Sequence, residues 1–319
     1  MCRDPASNAP EAKRTAYWRR CAHAAADLAH VIRGSNADGA EDAGRVVFVA
    51  ESCHDDPVAS TYAHPAGATV VQVPIERCRG LWFAGFACAR DGDNPFVRTM
   101  TAHARGEAEA YEASPLRSYF DRWQPASAAE ALGVANLVFG GIDALRRAPA
   151  AAAMAPWWPT KDLASFARAF EASTRRENVR SGVPLNDASG SHLYGPVSAA
   201  KGALEFERCV RVYESMLRIG FRRDAKTLDG DVRGQALVRD DGSYAVFILS
   251  GQHRVAAASA FGLSAVPVRF HDGASVGARI VHRSDVAHWP AVRDGSFTET
   301  AALAVFDRLF VGRQPWEDT

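Results

Sequence analysis

The stretch YAVFILSGQHRVAAASAFGLSAVPVRF, residues 244–270, predicts a strand, a tight turn, a helix and a second strand within 27 residues. Its first part is an apolar run of strand-forming residues, as expected for a buried strand. Gly251 interrupts that run, and the alanine-rich segment after it is typical of a helix. Gly262 stands where helices commonly end in a left-handed residue, and the last five residues resume an extended pattern.

The turn at Gly251 carries groups that suit an anion. A helix N-terminus leaves backbone N–H groups unpaired and bears partial positive charge, and glycine lets a ligand approach the backbone closely. His253 and Arg254 add cationic groups to the first turn, although cations are favoured at the other end of a helix. A bound phosphate would relieve this conflict. The competing interpretation is an ordinary strand–turn–helix whose His253 and Arg254 pair with nearby carboxylates.

The motif Ser250-Gly251-Gln252-His253-Arg254 is followed by three short runs, Ala256-Ala257, Phe261-Gly262-Leu263 and Val266-Pro267-Val268. Together they resemble the second sequence box of the ParB/sulfiredoxin superfamily. ParB-like partition proteins carry Gly-Glu-Arg-Arg there and bind CTP, sulfiredoxins carry Gly-Cys-His-Arg and use ATP with a catalytic cysteine, and free serine kinases of the same fold carry Asp-Gly-His-His-Arg. The resemblance implies that a glycine and a basic pair hold nucleotide phosphates.

One position departs from the family pattern. Gln252 stands where sulfiredoxins have their cysteine and ParB proteins a glutamate, which argues against sulfiredoxin chemistry and leaves an NTPase step open. Because an amide cannot act as a base at neutral pH, we expect Gln252 to orient a substrate, and the candidate bases are His192 and Asp187. The resemblance covers residues 183–275, under a third of the chain.

A helix before this box supplies a second group of candidate binding residues. Ser198 is placed to cap a helix that runs to about residue 219, and a glycine follows it. Lys201, Glu205 and Arg208 fall at i, i+4 and i+7, hence on one face. That face is either a solvated, salt-bridged surface or a basic element facing the nucleotide. The order of helix, glycine and phosphate box matches ParB-like proteins.

The sequence therefore predicts a nucleotide site made by the turn, this helix and the polar loop before it. The candidate catalytic residues are Gln252, His253 and Arg254. The candidate nucleotide-binding residues are Ser250, Gly251, Gln252, His253, Arg254, Ser198, Lys201, Glu205, Arg208 and His192. The expected cofactor is a nucleoside triphosphate, ATP or CTP, and Mg²⁺ is a further candidate.

Metal ligands are weakly indicated. Asp229 or Asp231 could hold Mg²⁺ beside a triphosphate, but a surface turn is the preferred interpretation for both. The segment 51–56, ESCHDD, carries candidate ligands without the short paired spacing of zinc sites, and a polar loop is preferred there. We therefore assign no residue as a metal ligand.

The composition describes a globular chain of neutral charge. Lys+Arg and Asp+Glu each number 37 in 319 residues, which weakens a DNA-binding interpretation without excluding a local basic patch. No apolar run reaches the ~18 residues that suggest a membrane span, and the N-terminus lacks the apolar core of a secretory signal. The six cysteines are scattered, without a CxxC pair. These features predict reduced thiols, no membrane partner and a cytoplasmic location.

The pattern along the chain predicts a mixed α/β (α+β) fold. Residues 1–147 form an N-terminal α/β accessory region, residues 148–182 a linker and connecting helix, and residues 183–319 a ParB/sulfiredoxin-like domain with a C-terminal extension. The linker is marked by an Ala/Pro-rich run, in which packing is the default interpretation for Trp157 and Trp158. Further helices are predicted at 15–33, 127–147, 162–178 and 300–310, and strands at 45–50, 69–75, 235–239 and 278–282.

The leading functional hypothesis is a nucleotide-binding enzyme, an ATP-dependent phosphotransferase or kinase acting on a small molecule. Gly251 and the backbone after it would hold phosphates, while His253 and Arg254 neutralise charge on the transferred group. The alternative is a nucleotide-gated, ParB-like binding module for DNA or protein. The residues after 270 lack the helix-turn-helix pattern that a DNA reader would need. A third hypothesis keeps the fold as a structural partner protein without nucleotide.

Overall fold

The computed structural model describes residues 46–48, 57–63, 68–137, 142–159, 162–222, 231–270 and 277–317. Its strands are β1 (Val46–Phe48), β2 (Ala68–Pro74), β3 (Cys78–Gly80), β4 (Phe86–Ala87), β5 (Val232–Val238), β6 (Tyr244–Ser250), β7 (Ala265–Phe270) and β8 (Ile280–His282). Its α-helices are α1 (Pro57–Ala63), α2 (Pro95–Arg105), α3 (Pro115–Arg122), α4 (Ala128–Ala131), α5 (Asp143–Arg147), α6 (Leu163–Arg180), α7 (Ala199–Ile219), α8 (Gln252–Phe261), α9 (Pro290–Arg293) and α10 (Glu299–Val311). Short 3₁₀ turns lie at Ile75–Arg77, Trp82–Ala84, Tyr111–Ala113, Ala150–Ala152, Asp187–Ser189 and Arg283–His288.

A single mixed sheet joins these strands in the order β1-β2-β7-β5-β6-β3-β4, with β8 paired to β5. β5 and β6 form an antiparallel hairpin, while the first residues of β5 pair with β7 and its last residues pair with β8, both in parallel. Antiparallel pairing of β2 with β7 brings in the earlier strands. The mixed α/β class is therefore confirmed. The predicted domain boundaries stay predictions, although strands from both sides of residues 148–182 share this sheet.

The stretch 244–270 folds as the sequence predicts, into β6, α8 and β7. Gly251 has a φ of 84° and Gly262 a φ of 81°, so both ends of α8 use the left-handed backbone that glycine adopts readily. The alanine-rich helix is buried from residue 255 to 261. Small side chains let it pack closely against the sheet and against α2 and α7.

Two apolar cores lie on the two faces of the sheet. Successive residues of β6 point to opposite faces: Val246 and Ile248 join one core and Phe247 joins the other. The first core contains α2, α3, α7 and α8, and the second contains α4, α5 and α10. The chain therefore has helices on both sides of its sheet.

The Ala/Pro-rich run before α6 belongs to the second core. Trp157 and Trp158 are both buried, and both indole N–H groups donate to Gln235 Oε1, at 3.2 and 2.8 Å. A tryptophan that is buried needs such a partner for its N–H. The packing expected for the two tryptophans is confirmed.

Several predicted elements are found with shifted bounds. The helical region predicted at 127–147 consists of two short helices, α4 and α5, and its residues 138–141 lie outside the described part. The helix predicted at 15–33 and the polar segment 51–56 also lie outside it. Of the helices that the structure describes, none is both long enough and apolar enough to span a bilayer.

Candidate functional site

Helix α7 carries the first three members of the site on one buried face. Ser198 caps the helix by accepting a hydrogen bond from Lys201 N–H, at 3.2 Å. The side chains of Lys201 and Glu205 are 0% exposed, and Lys201 Nζ lies 2.8 Å from Glu205 Oε1. Arg208 Nη1 lies 2.7 Å from the same oxygen. The face predicted by the i, i+4, i+7 spacing is therefore an interior ion-pair network and not a solvated surface.

Helix α6 adds a fourth member, Glu177, that the sequence analysis missed. Glu177 Oε1 lies 3.4 Å from Lys201 Nζ and also contacts Arg208 Nη1. Its other oxygen, Oε2, lies 3.1 Å from His192 Nδ1. One carboxylate thus connects helix α7 to the polar loop that precedes it.

The first turn of helix α8 reaches this network through His253. Its Nε2 lies 3.6 Å from Glu205 Oε2, and its ring stacks on Phe96 of α2 with centroids 4.5 Å apart and planes 15° from parallel. The aromatic contact holds the imidazole over the buried carboxylate.

We call this group of six side chains the polar basin: Glu177, His192, Lys201, Glu205, Arg208 and His253. Lys201 and Glu205 form its floor, whereas the other four side chains are 22 to 29% exposed and form its rim. Solvent therefore reaches the side chains of the rim but not those of the floor.

Electrostatics keep both carboxylates of the basin ionised. Burial raises the pKa of Glu205, but His253, His192 and Lys201 together outweigh burial and lower it to about 2. Burial likewise raises the pKa of Glu177, and contacts with His192, Lys201 and Arg208 bring it well below its ordinary value. The two carboxylates are balanced by one lysine and one arginine, so these four groups together carry no net charge.

The two histidine–glutamate contacts leave hydrogen-bonding capacity unused. Glu205 Oε2, His253 Nε2 and His192 Nδ1 are buried atoms, and no hydrogen-bond partner of good geometry is found for them in the described part of the chain. Buried polar atoms in proteins are normally hydrogen-bonded, so such exceptions require an explanation. A bound polar ligand or water that bridges these atoms is one.

The turn before α8 is held by Gln252 instead of being capped. Gln252 Oε1 accepts from Leu81 N–H at 2.9 Å, and its Nε2 donates to the Ile248 carbonyl at 2.6 Å. No side chain caps the helix in the described structure, whose N-cap residue is Gly251. The amide predicted to orient a substrate therefore ties the turn to the segment after β3, and a contact with ligand stays a prediction.

The remaining predicted residues lie around the turn. Arg254 Nη2 donates to the Asp231 carbonyl at 2.8 Å, and Ser250 Oγ accepts from Arg233 Nε at 3.0 Å. A Cβ placed on Gly251 would lie 3.0 Å from Val232 Cα and 3.3 Å from Arg254 Nη2. The space beside Gly251 is thus filled by the protein itself.

The candidate bases and candidate metal ligands lie in different parts of the structure. His192 belongs to the basin, whereas Asp187 lies in the 3₁₀ turn Asp187–Ser189. Asp231 is buried, with a carboxylate oxygen 3.5 Å from Arg269 Nη1, and Asp229 lies outside the described residues. Within the described ranges, no group of three or more His, Cys, Asp or Glu side chains is arranged to hold a metal ion.

A nucleophilic cysteine is disfavoured among the described thiols. Cys78, Cys88 and Cys209 are free and buried. Burial raises the pKa of all three, that of Cys88 to about 12. Because the thiolate is the reactive form, these thiols are unreactive at neutral pH.

The spacing of residues along its helix could have identified Glu177 from the sequence. In the helix predicted at 162–178, Phe170 is apolar, and Glu177 follows it by seven residues on the same face. A carboxylate at an inner position of an amphipathic helix needs a partner in the interior. The partners come from α7 and from the loop before it.

Comparison of this chain with protein-family models, with curated proteins and with solved structures found no match. The proposals below therefore rest on the geometry of the basin and of the turn. The resemblance to ParB/sulfiredoxin proteins is limited to the residues quoted for it.

Proposed function

We propose that the chain binds a nucleoside triphosphate across the turn and the polar basin, and that it acts as an ATP-dependent phosphotransferase on a small molecule. One observation supports this most: the structure brings together five residues chosen from the sequence as nucleotide ligands, His192, Lys201, Glu205, Arg208 and His253. They come from three separate segments and meet beside the uncapped N-terminus of α8. An uncapped helix N-terminus suits a phosphate. Because the protein itself fills the space beside Gly251, the phosphates would lie on the basin side of the turn, at His253.

The basin offers the cations that phosphoryl transfer needs. The transferred group carries negative charge on its three equatorial oxygens, and catalysis consists largely of positioning and neutralising them. Arg208 and His192 lie on the exposed rim and can approach these oxygens, while buried Lys201 adds positive charge beneath them. Preorganised charge in a partly buried site is more effective than in water.

The basin also offers a proton acceptor. Glu205 stays ionised and lies next to His253 Nε2, so it can orient the imidazole and stabilise its protonated form. The other ring nitrogen, Nδ1, would take the proton of the acceptor hydroxyl. The hydroxyl oxygen then forms a bond to the γ-phosphorus, the bond from that phosphorus to the bridging oxygen breaks, and the nucleoside diphosphate leaves with the electron pair.

A thermal-shift and calorimetric titration with ATP, CTP and GTP, with and without Mg²⁺, tests nucleotide binding. A ligand at 100 times its Kd stabilises the folded chain by about 2.7 kcal/mol, so a clear rise in Tm is expected. His253→Ala should remove the rise. His103→Ala is the matched control, because His103 is 26% exposed and pairs with Glu214 outside the basin.

Failure of every nucleotide to raise the Tm of the wild-type chain would overturn the proposal. The kinase step is tested separately, by the formation of ADP in the presence of pooled small-molecule hydroxyl compounds. Binding without turnover would favour the nucleotide-gated module for DNA or protein. Loss of folding in Arg254→Ala, without any nucleotide effect in the wild type, would favour a structural role.

A further inference from the structure

We infer that the nucleobase of the bound nucleotide stacks on an aromatic patch formed by Trp82, Phe170 and Tyr194, next to the polar basin. This inference rests on the proposed function and deepens it, because it assigns the base and the phosphates to two neighbouring places. The three residues are each partly buried, so each keeps part of its surface exposed to solvent.

The rings of the aromatic patch are in contact with one another. Trp82 and Phe170 have centroids 6.1 Å apart at an interplanar angle of 62°, and Phe170 and Tyr194 have centroids 6.3 Å apart at 9°. The cavity that they help to line holds only about 20 Å³, roughly the space of one water molecule. A flat ligand would therefore lie against the exposed part of these side chains and not inside this cavity.

Helix α6 carries one residue to the patch and one to the basin. Phe170 and Glu177 are seven residues apart, which places them on the same helix face and about 10 Å apart along the axis. An extended nucleoside triphosphate separates its base from its terminal phosphates by a similar length. The spacing along α6 therefore matches a ligand with a flat ring at one end and an anionic group at the other.

The loop before α7 makes the same connection. In that loop, His192 contacts Glu177 in the basin, while Tyr194 stacks on Phe170. Trp82, in the 3₁₀ turn after β3, donates its Nε1–H to the Leu249 carbonyl at 3.4 Å, two residues before Gly251. Helix α6 and the loop before α7 thus each supply a side chain to both the patch and the basin, and Trp82 is bonded to the strand that leads into the turn.

The backbone that presents Trp82 is strained. Leu81 and Trp82 have φ angles of 56° and 48°, which residues other than glycine adopt rarely. The Leu81 N–H is held by Gln252 Oε1 at 2.9 Å, so the strained segment is tied to the turn before α8. Strained backbone persists where the surroundings enforce it, and such residues cluster at ligand sites.

Base stacking on aromatic side chains tolerates any base, because each base has a flat π-face. The aromatic patch should therefore strengthen binding of ATP and CTP alike. Inorganic tripolyphosphate has no ring and would use the basin alone. Comparing its affinity with that of the nucleotides therefore separates the contribution of the patch from that of the basin.

The test is calorimetric titration of the full chain with ATP, CTP and inorganic tripolyphosphate. Phe170→Ala and Tyr194→Ala should each weaken both nucleotides about 5- to 150-fold, the range for loss of one stacked ring, and leave tripolyphosphate affinity unchanged. Phe170→Leu keeps most of the volume and loses the ring face, so it guards against a folding defect. Phe310→Ala is the matched control, since Phe310 is a half-buried ring stacked on Phe306 in another part of the fold.

The outcomes separate this inference from the proposed function. If the wild type, Phe170→Leu and Tyr194→Ala bind nucleotides with equal affinity, the base does not stack on the aromatic patch, while the proposed nucleotide binding still holds. Tripolyphosphate that binds the wild type as tightly as ATP would lead to the same conclusion, because the base would then contribute nothing. If neither nucleotides nor tripolyphosphate bind the wild type, the proposed function fails and the patch fails with it.

Discussion

The polar basin and a second ionic cluster on the surface use the same kinds of side chain in opposite surroundings. In the surface cluster, Asp307 forms a bidentate ion pair with Arg283, whose Nη2 lies 2.9 Å from Oδ2 and whose Nε lies 3.0 Å from Oδ1. Arg239 Nη2 lies 3.4 Å from Oδ1 of the same carboxylate. Those side chains are 33 to 35% exposed. In the basin, Lys201 and Glu205 make an ion pair of 2.8 Å with no exposure at all.

This difference in burial decides the energetic cost of the two clusters. The surface cluster has little effect on stability, whereas the presence of buried charges in the basin requires an explanation. Exposed ion pairs contribute about 0–1 kcal/mol, because solvent screens them and the side chains lose entropy. Moving charges into the interior costs several kcal/mol per ion, and apolar replacements of whole buried pairs are often neutral or stabilising. The basin is therefore a poor device for stability, which fits a role in binding or chemistry.

The largest expected effect is that of Glu205→Ala. It leaves the buried Lys201 ammonium with Glu177 at 3.4 Å as its remaining carboxylate, and breaking a buried pair from one side costs about 3–5 kcal/mol. Urea unfolding of both proteins at pH 7 measures the difference. A cost below about 1 kcal/mol, the range of exposed pairs, would show that the basin behaves as a surface cluster.

A double variant controls for the Lys201 charge that Glu205→Ala leaves without its nearest partner in the interior. Lys201→Met together with Glu205→Leu replaces both members of the pair with apolar side chains of similar length. Because the replacement removes the unpaired charge, the double variant should unfold at a higher urea concentration than Glu205→Ala. Continued destabilisation of the same size would point to packing and not to charge.

The second prediction concerns the stability of the folded chain at acidic pH. The pKa of Glu205 falls from 4.5 to about 2 on folding, so the unfolded chain binds the proton first as the pH drops. The stability that this carboxylate contributes is complete above about pH 5 and is lost as the pH falls through 4.5 toward 2. At about 1.36 kcal/mol per pKa unit, the total is on the order of 3 kcal/mol.

Urea unfolding from pH 7 to pH 3 measures that loss. In Glu205→Gln the group no longer titrates, so stability should decline less steeply between pH 5 and 3 than in the wild type. Identical slopes in the wild type and Glu205→Gln would show that folding does not lower the pKa of Glu205.

The third prediction is a small effect at the surface. Asp307→Asn keeps the shape of the side chain and removes the charge that Arg239 and Arg283 face. Because solvent reaches all three side chains, the cost should be at most about 1 kcal/mol. Urea unfolding at pH 7 measures it, and a cost comparable to that of Glu205→Ala would erase the contrast between the two clusters.

The local elements of the fold were open to prediction, because their signals are local. The bounds of α8 follow from an alanine run between Gly251 and Gly262, and the hairpin of β5 and β6 follows from two apolar runs around a turn. The strand order was not predictable. β3 pairs with β6 across more than 150 residues, and its neighbouring sequence is apolar on all sides, so no pattern indicates a face.

The same limit applies to the site. Spacing along α7 places Lys201, Glu205 and Arg208 on one face, and the cationic first turn of α8 marks His253 as a binding candidate. Whether that face is buried depends on where α6 and the turn pack, which is a long-range property of the fold. Glu177 was missed for this reason, since its partners Lys201 and His192 are close to it only in the folded chain.

The smallest expected effect is that of salt. Raising the ionic strength from about 0.1 to 1 M shortens the Debye length from about 10 to 3 Å, which screens exposed charges and leaves buried pairs nearly unaffected. The stability difference between the wild type and Asp307→Asn should therefore shrink by a few tenths of a kcal/mol, whereas the difference for Glu205→Ala should stay the same. Unfolding of the three proteins at both salt concentrations measures this. If salt reduces the Glu205→Ala difference by the same fraction, water reaches the floor of the basin, and the strong, unscreened charges on which phosphate binding there depends are absent.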